Sequence, residues 1–316
     1  VRVTRRGLEI ALGLLWLLDG ALQFQPFMFT KDFFEGILGM ANMGLPGPVA
    51  VANLGIADQL VAHPVLANAI FATLQVALGA GLLWPRTANI ARGVSIAWAL
   101  GVWIVGEGLG GLGMDGTSLV TGAPGAAVLY AILGLALWPA PRPSPARPGD
   151  AAVDGGLVQR GRWVRYAWLV VWVGVALLEF EPLNHAAAVP SAQLVNAGQG
   201  EPGWIAAVNS AVGGVFAGAG MYFAVLIGLC MVFAGLGVFN ARTRKAALIV
   251  GIVLAVFTGI FGQDLGSLFT SHATDPGSGP LLVLFAMSLW PRENAVSPFS
   301  STVSEPKAGM IVDHRN

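Results

Sequence analysis

The sequence predicts an all-α integral membrane protein with eight transmembrane helices, arranged as two parallel four-helix repeats with caps on the outer face. Three observations carry that expectation. Hydrophobic residues make up 55% of the 316-residue chain and charged residues 11%, against about a quarter charged in soluble domains. Eight apolar runs approach the roughly 20 residues that a spanning helix needs: 8–28, 64–84, 89–111, 122–139, 163–181, 218–239, 246–267 and 277–291. Finally, residues 14–112 line up with 170–268 at one constant offset and without a gap. Trp16, Phe24 and Pro26 fall on Trp172, Phe180 and Pro182; Pro46-Gly47 falls on Pro202-Gly203, and Asn53 on Asn209. Gly106, Leu109 and Gly110 fall on Gly262, Leu265 and Gly266. After a short slip, Pro124-Gly125 and Leu137-Trp138-Pro139 fall on Pro276-Gly277 and Leu289-Trp290-Pro291. A repeat of this length means two copies of one structural unit.

The first run follows Arg5-Arg6, as the apolar core of a signal peptide would. Its partner at 163–181 is internal, and no small-residue cleavage site follows it, so a retained helix is expected. Between the first two runs lie about 35 residues in which Gly36–Pro48 is apolar but broken by Gly and Pro; the second copy has an equally long stretch. Irregular backbone at membrane depth must be covered by protein, and loops this long are uncommon unless functional. An interfacial or re-entrant cap on the outer face is therefore expected in each copy. Of the 17 basic residues, all but Lys31 lie in or within a few residues of 1–7, 85–90, 140–163, 240–245 and 291–316. The positive-inside rule places these segments, and with them both termini, in the cytoplasm of a multi-pass cell-membrane protein. An even number of spans per copy makes the copies parallel, related by an axis along the membrane normal. The expected units are a first repeat at 1–139, a Pro/Arg-rich cytoplasmic linker at 140–162, a second repeat at 163–291, and a Ser/Pro-rich disordered tail at 292–316.

Charges within a bilayer are rare and face a cavity or a partner. Here Asp19, Glu107, Glu179, Glu181 and Asp264, with Gln263 beside the last, fall in the outer halves of the first and third helices of the two copies. Carboxylates in a low dielectric bind a cation or take up a proton, so these six are the candidate proton or ion site. Structural alternatives are headgroup water for Glu179 and Glu181, and hydrogen-bonded packing between helices for the rest. Histidine is scarce, and His185 and His272 both lie in outer segments of the second copy, where the first has Phe29 and, roughly, Val120. Imidazole with carboxylate suits zinc, iron or copper, so a transition-metal site near the second copy is the functional reading of the pair; loop histidines at the interface are the bland one.

Other chemistries are disfavoured. Zero net charge argues against nucleic acid. The single cysteine, Cys230, excludes C-x-x-C chemistry and c-type haem. No pair of histidines lies within the runs for b-type haem, and no lysine for a retinal Schiff base. The Gly106–Gly111 stretch lacks the strand–helix context of a dinucleotide site; its glycines are expected to allow close helix contact within a span.

Arg6-Gly7-Leu8 through Trp16, and Gly228-Leu229 through Gly237 followed by Ala241-Arg242-Thr243-Arg244, carry a resemblance. Each copy resembles the four-helix DoxX/DoxD-type membrane proteins in its basic start, Leu/Gly-rich first helix and basic turn after the second. The resemblance implies a membrane component of a quinone- or thiosulfate-linked redox system, with a quinone as possible cofactor and a redox protein as partner besides the lipid bilayer. Two readings stand beside it: a proton- or metal-ion transporter or sensor with its site at the repeat interface, and a non-catalytic scaffold. No catalytic constellation is legible, so the sequence does not decide whether the chain is an enzyme.

Overall fold

The computed structural model describes residues 3–139 and 161–291. The expected linker and tail fall almost entirely outside these residues. Every regular element among the described residues is helical. Helix α1 (Arg5–Leu22) is followed by a short 3-10 turn, then α2 (Lys31–Met43), α3 (Gly47–Ala62), α4 (Pro64–Leu83), α5 (Ala88–Val105) and α6 (Ala126–Ala136). The order recurs in α7 (Gly161–Glu179), α8 (Val189–Ala197), α9 (Gly203–Val215), α10 (Gly220–Leu236) and α11 (Arg244–Phe257). It closes with a one-turn α12 (Asp264–Ser267) and α13 (Ser278–Ser288). The first residues of α1, α3, α4, α5 and α6 align in sequence with those of α7, α9, α10, α11 and α13.

Local chemistry fixes these starts. Thr4 and Thr30 cap α1 and α2 by accepting from the amides of Gly7 and Phe33, which satisfies otherwise orphaned donors. Proline opens α4 and stands in the first turns of α3 and α8, where its missing N–H costs nothing. Among the described residues, four stretches are long and apolar enough to cross a membrane: Pro64–Leu83, Ala88–Val105, Gly220–Phe239 and Arg244–Gly262. Helices α6, α9 and α13 are apolar but shorter. Helix α1 is more charged, carrying Arg5, Arg6, Glu9 and Asp19. Large apolar side chains point outward along the bundle, among them Leu14, Ile70, Ile90, Val170, Leu226 and Val253. Exposed apolar surface on this scale is what lipid covers.

Helix α1 lies along α4, and α7 along α10. The first contact is close because its crossing is glycine on glycine: a Cβ on Gly79 would stand 2.7 Å from the Gly13 carbonyl oxygen, the small-residue packing expected in apolar surroundings. Helices α6 and α13 meet at the centre, and one core of Leu12, Trp16, Leu129, Trp168, Trp172 and Phe285 runs through both halves. At the basic end, Arg5 donates to the Leu137 carbonyl and Arg6 to the carbonyls of Leu82 and Leu83, so the start of α1 ties down the ends of α6 and α4.

The third and seventh runs do not continue as helix to 111 and 267. Helix α5 ends at Val105, and α11 loosens into a π-helical turn at Thr258–Gly262. The glycine-rich stretches that follow turn left-handed: φ is 60° at Leu109 and 68° at Gly110, and 53° and 74° at the aligned Leu265 and Gly266. Glycine at the second position is required sterically, since a Cβ there would collide with the Pro124 carbonyl in one half and the Asp275 carbonyl in the other. These glycines therefore build a turn rather than a helix–helix contact. That turn directs the following loop, 106–125 or 263–277, across the end of the bundle opposite the basic one.

Candidate functional site

A cavity of about 380 Å³ opens among α1, α2, α3, α4, α5 and α6 at this second end. Helical spacing builds it. Asp19 on α1 and Gln23 at its C-cap lie one turn apart, as do Phe71 and Gln75 on α4, and Trp98, Val102 and Val105 follow one face of α5. Phe33, Phe34, Ile37 and Leu38 of α2, with Ile56 and Leu60 of α3, close it from outside. Trp16 and Tyr130 stack at its inner side with ring centroids 4.2 Å apart, and Trp16 is fixed by donating to Ser95 Oγ at 2.9 Å.

The polar atoms in this apolar shell are conspicuous. Buried polar groups are almost always hydrogen-bonded. Yet Gln23 Oε1, Gln75 Oε1, Trp98 Nε1 and Glu107 Oε2 are all buried without a partner among the described residues, and all belong to cavity-lining side chains. Asp19 and Tyr130 are only 3% and 2% exposed. Their polar ends meet, the Tyr130 hydroxyl donating to the Asp19 carboxylate.

Glu107 has a structural duty as well. Its Oε1 accepts from the Ala127 amide at 2.9 Å, capping the first turn of α6, while Oε2 is buried beside Gly125 without a partner. Gln263, at the aligned position, caps α13 in the same way by accepting from the Ser278 amide at 2.8 Å. A third carboxylate comes from the other half: Asp275, with Thr274, reaches the cavity from the 263–277 loop. Its orientation is fixed by the Thr274 hydroxyl and the Gly277 amide, both at 2.8 Å. It stands near enough to Asp19 and Glu107 for like-charge repulsion.

The corresponding space in the second half is filled. At the positions of Asp19, Gln75, Trp98 and Tyr130 stand Val175, Met231, Leu254 and Leu282, all buried. Ser95 is replaced by Gly251, against which the Trp168 and Trp172 rings lie; a Cβ there would come within 2.8 Å of Trp168. Val120 of the 106–125 loop is buried against Leu194 and Phe223. The two loops thus reach across the bundle in opposite directions, one lining a cavity and the other plugging a core.

No family model, curated protein or solved structure matches this chain.

The residues singled out from the sequence therefore divide. Asp19 and Glu107 meet in the cavity. Glu179, aligned with Gln23, is buried and accepts from the Leu119 amide at 3.2 Å, beneath the first half's loop. Gln263 adds a bond to the Leu119 carbonyl, tying that loop to α13. Asp264 accepts from Asn209 at 2.8 Å beside a cleft of about 110 Å³, and Glu181 is half-buried at the end of α7. His185 is half-buried against the Phe180 ring, and the exposed His272 lies on Phe27 of the first half, centroids 4.1 Å apart. Among the described residues, no group of three or more His, Cys, Asp or Glu is gathered to hold a metal.

The sequence reading missed Gln75, Trp98, Tyr130 and Asp275. Their signal was available as contrasts between aligned positions, but it sits in neutral and aromatic residues as much as in charged ones. Two further buried features were also missed. Arg92, fully buried on α5, pairs with Glu9 on α1, whose other oxygen takes Arg6 at 2.9 Å. Glu201, between α8 and α9, is buried with neither carboxyl oxygen partnered; burial, and then the nearby Asp264 charge, raises its pKa above the ordinary value.

Proposed function

We propose that this chain is a polytopic membrane protein that binds a small organic molecule in the cavity of its first half. The observation that carries the reading is the set of four partnerless buried polar atoms, with the Asp19–Tyr130 pair, on side chains that line one aromatic-walled cavity. Interiors do not leave such groups unsatisfied without reason, and the volume falls in the usual range for small-molecule pockets, about 300–1,000 Å³. The filled counterpart in the second half supports a specialised first half carried by a structural second one.

The membrane frame is eight spans in two parallel four-helix halves. Helix α6, at 1.5 Å per residue, is about 16 Å long. In this reading the crossing loops at 106–125 and 263–277 make up the remaining depth of the fourth and eighth spans. Basic residues gather at the end of the bundle formed by the starts of α1, α5, α7 and α11, which the positive-inside rule assigns to the cytoplasm. The cavity then opens on the outer side, toward α2 and α3. A quinone-linked redox component of the DoxX/DoxD kind is the second reading, favoured by the flat aromatic walls and by the Trp98 donor that a quinone oxygen would accept from.

The test is to purify the full chain in mild detergent and identify bound small molecules by mass spectrometry. A partner variant carries the second half's residues, Gln75→Met and Tyr130→Leu. A compound retained by the wild type and lost by this variant supports the reading, and a quinone in that role selects the second version. Equal retention by both, or a wild type that retains nothing and binds none of the charged and neutral aromatic probes named below, overturns it.

A further inference from the structure

The chemistry lining the cavity specifies what class of molecule it takes. Of its partnerless buried atoms, three are acceptors belonging to Gln23, Gln75 and Glu107, and Trp98 Nε1 is the donor; Asp19, bonded to Tyr130, supplies a buried carboxylate beside them. Asp275 adds another carboxylate. Among the described residues, no lysine, arginine or histidine lines the cavity, and Arg92 is engaged by Glu9 at the opposite end. The acids therefore find no counter-charge within the walls. Those walls are the rings of Trp16, Phe33, Phe34, Phe71, Trp98 and Tyr130. Aromatic faces attract cations through their quadrupole, and a desolvated carboxylate favours an opposite charge close by. A neutral quinone would leave most of these acceptors without a donor, and an anion would be repelled.

Resting on the small-molecule reading above, we propose that the ligand is an organic cation, an ammonium group carried on an apolar or aromatic body. The ammonium sits between Asp19, Glu107 and Asp275, with the body against the rings of α2 and α4. Asp275 comes from the second half's loop, and the aligned residue of the first half's loop is Ala123. The site is thus completed by a residue that only one of the two loops carries.

The experiment measures binding to the full chain in nanodiscs at neutral pH, by the fluorescence of Trp16 and Trp98 and by thermal shift. Three probes share one ring and differ in charge: 2-phenylethylammonium, 2-phenylethanol and phenylacetate. Saturable binding of the ammonium at least tenfold tighter than the alcohol, with none of the anion, is expected. Asp275→Asn, on a loop and outside the packed core, should weaken the ammonium at least tenfold and leave the alcohol unchanged; Asp19→Asn should do the same. Alcohol or anion binding as tightly as the ammonium, or an ammonium affinity indifferent to Asp275→Asn, overturns the cation assignment while the small-molecule reading stands. Absence of binding by all three probes overturns the cation assignment and, where nothing co-purifies either, the small-molecule reading with it.

Discussion

Glu107 performs two tasks with two oxygens, and the second half shows how to separate them. Oε1 caps α6 through the Ala127 amide, and the partnerless Oε2 belongs to a side chain that lines the cavity. Gln263 performs the capping task alone, with an amide oxygen at nearly the same distance. Replacing Glu107 with Gln should therefore keep the cap, whereas Ala should remove it. Loss of a side-chain cap costs about 0.5–2 kcal/mol. Glu107→Ala should then lose about 0.5–2 kcal/mol and Glu107→Gln less than half of that. Equilibrium unfolding of the purified protein by titrated denaturing detergent reads the difference. Ammonium binding should fall in both variants, because both remove the charge. A Gln variant as unstable as the Ala variant, or an Ala variant as stable as wild type, would refute the assignment of Oε1 to capping.

Three more outcomes follow from the same structure. Arg92→Leu leaves Glu9 buried with only Arg6, and should destabilise by about 3 kcal/mol, the low end for a broken buried pair; the Glu9→Leu/Arg92→Leu double variant should recover most of that loss in the same unfolding assay. Gly251→Ser restores the first half's residue beneath Trp168, where a Cβ has only 2.8 Å. The overpacking should cost about 1–3 kcal/mol, with a change in tryptophan emission as Trp168 moves. Glu201 has a folded pKa raised above its ordinary value, so its contribution is fully present below the unfolded glutamate pKa of about 4.3 and is lost as pH rises through the folded value. Glu201→Gln should thus gain stability relative to wild type at pH 7 and lose that gain near pH 4; a difference independent of pH would show that this carboxyl does not titrate on unfolding.

Helix order was legible because long apolar runs and aligned Pro, Gly and Trp positions are local signals. Their ends were less so. Gly106–Gly111 reads equally well as a small-residue helix face or as a left-handed turn, and the choice is made by Pro124, whose carbonyl occupies the space above Gly110. The candidate site divided along the same line. Asp19 and Glu107 stand out because charge is rare in apolar sequence. Gln75 and Tyr130 do not, since a single amide or phenol in a span is unremarkable until its neighbours are known. Asp275 lies in a loop of the other half, and no spacing rule connects it to α1. The histidines drew attention by scarcity alone, and scarcity carries no geometry: His185 rests on the Phe180 ring and His272 on the Phe27 ring.

The crossing loops give a reason for the two aligned halves to share one chain. In a symmetric dimer of identical units, both loops would carry the same residues, because every contact in a two-fold interface occurs twice. An aspartate at position 275 would then face a cavity in one unit and require an equal cavity in the other. Here the aligned positions hold Asp275 and Ala123, and Ala123 is buried in the central core. The loop beside Ala123 seals the second half with Val120, and the loop beside Asp275 lines the first half's cavity. Covalent linkage allows that asymmetry to be encoded. One half can then give up its interior to Trp168, Trp172 and Leu282 for packing, while the other keeps buried acids that a symmetric assembly would have to accommodate twice.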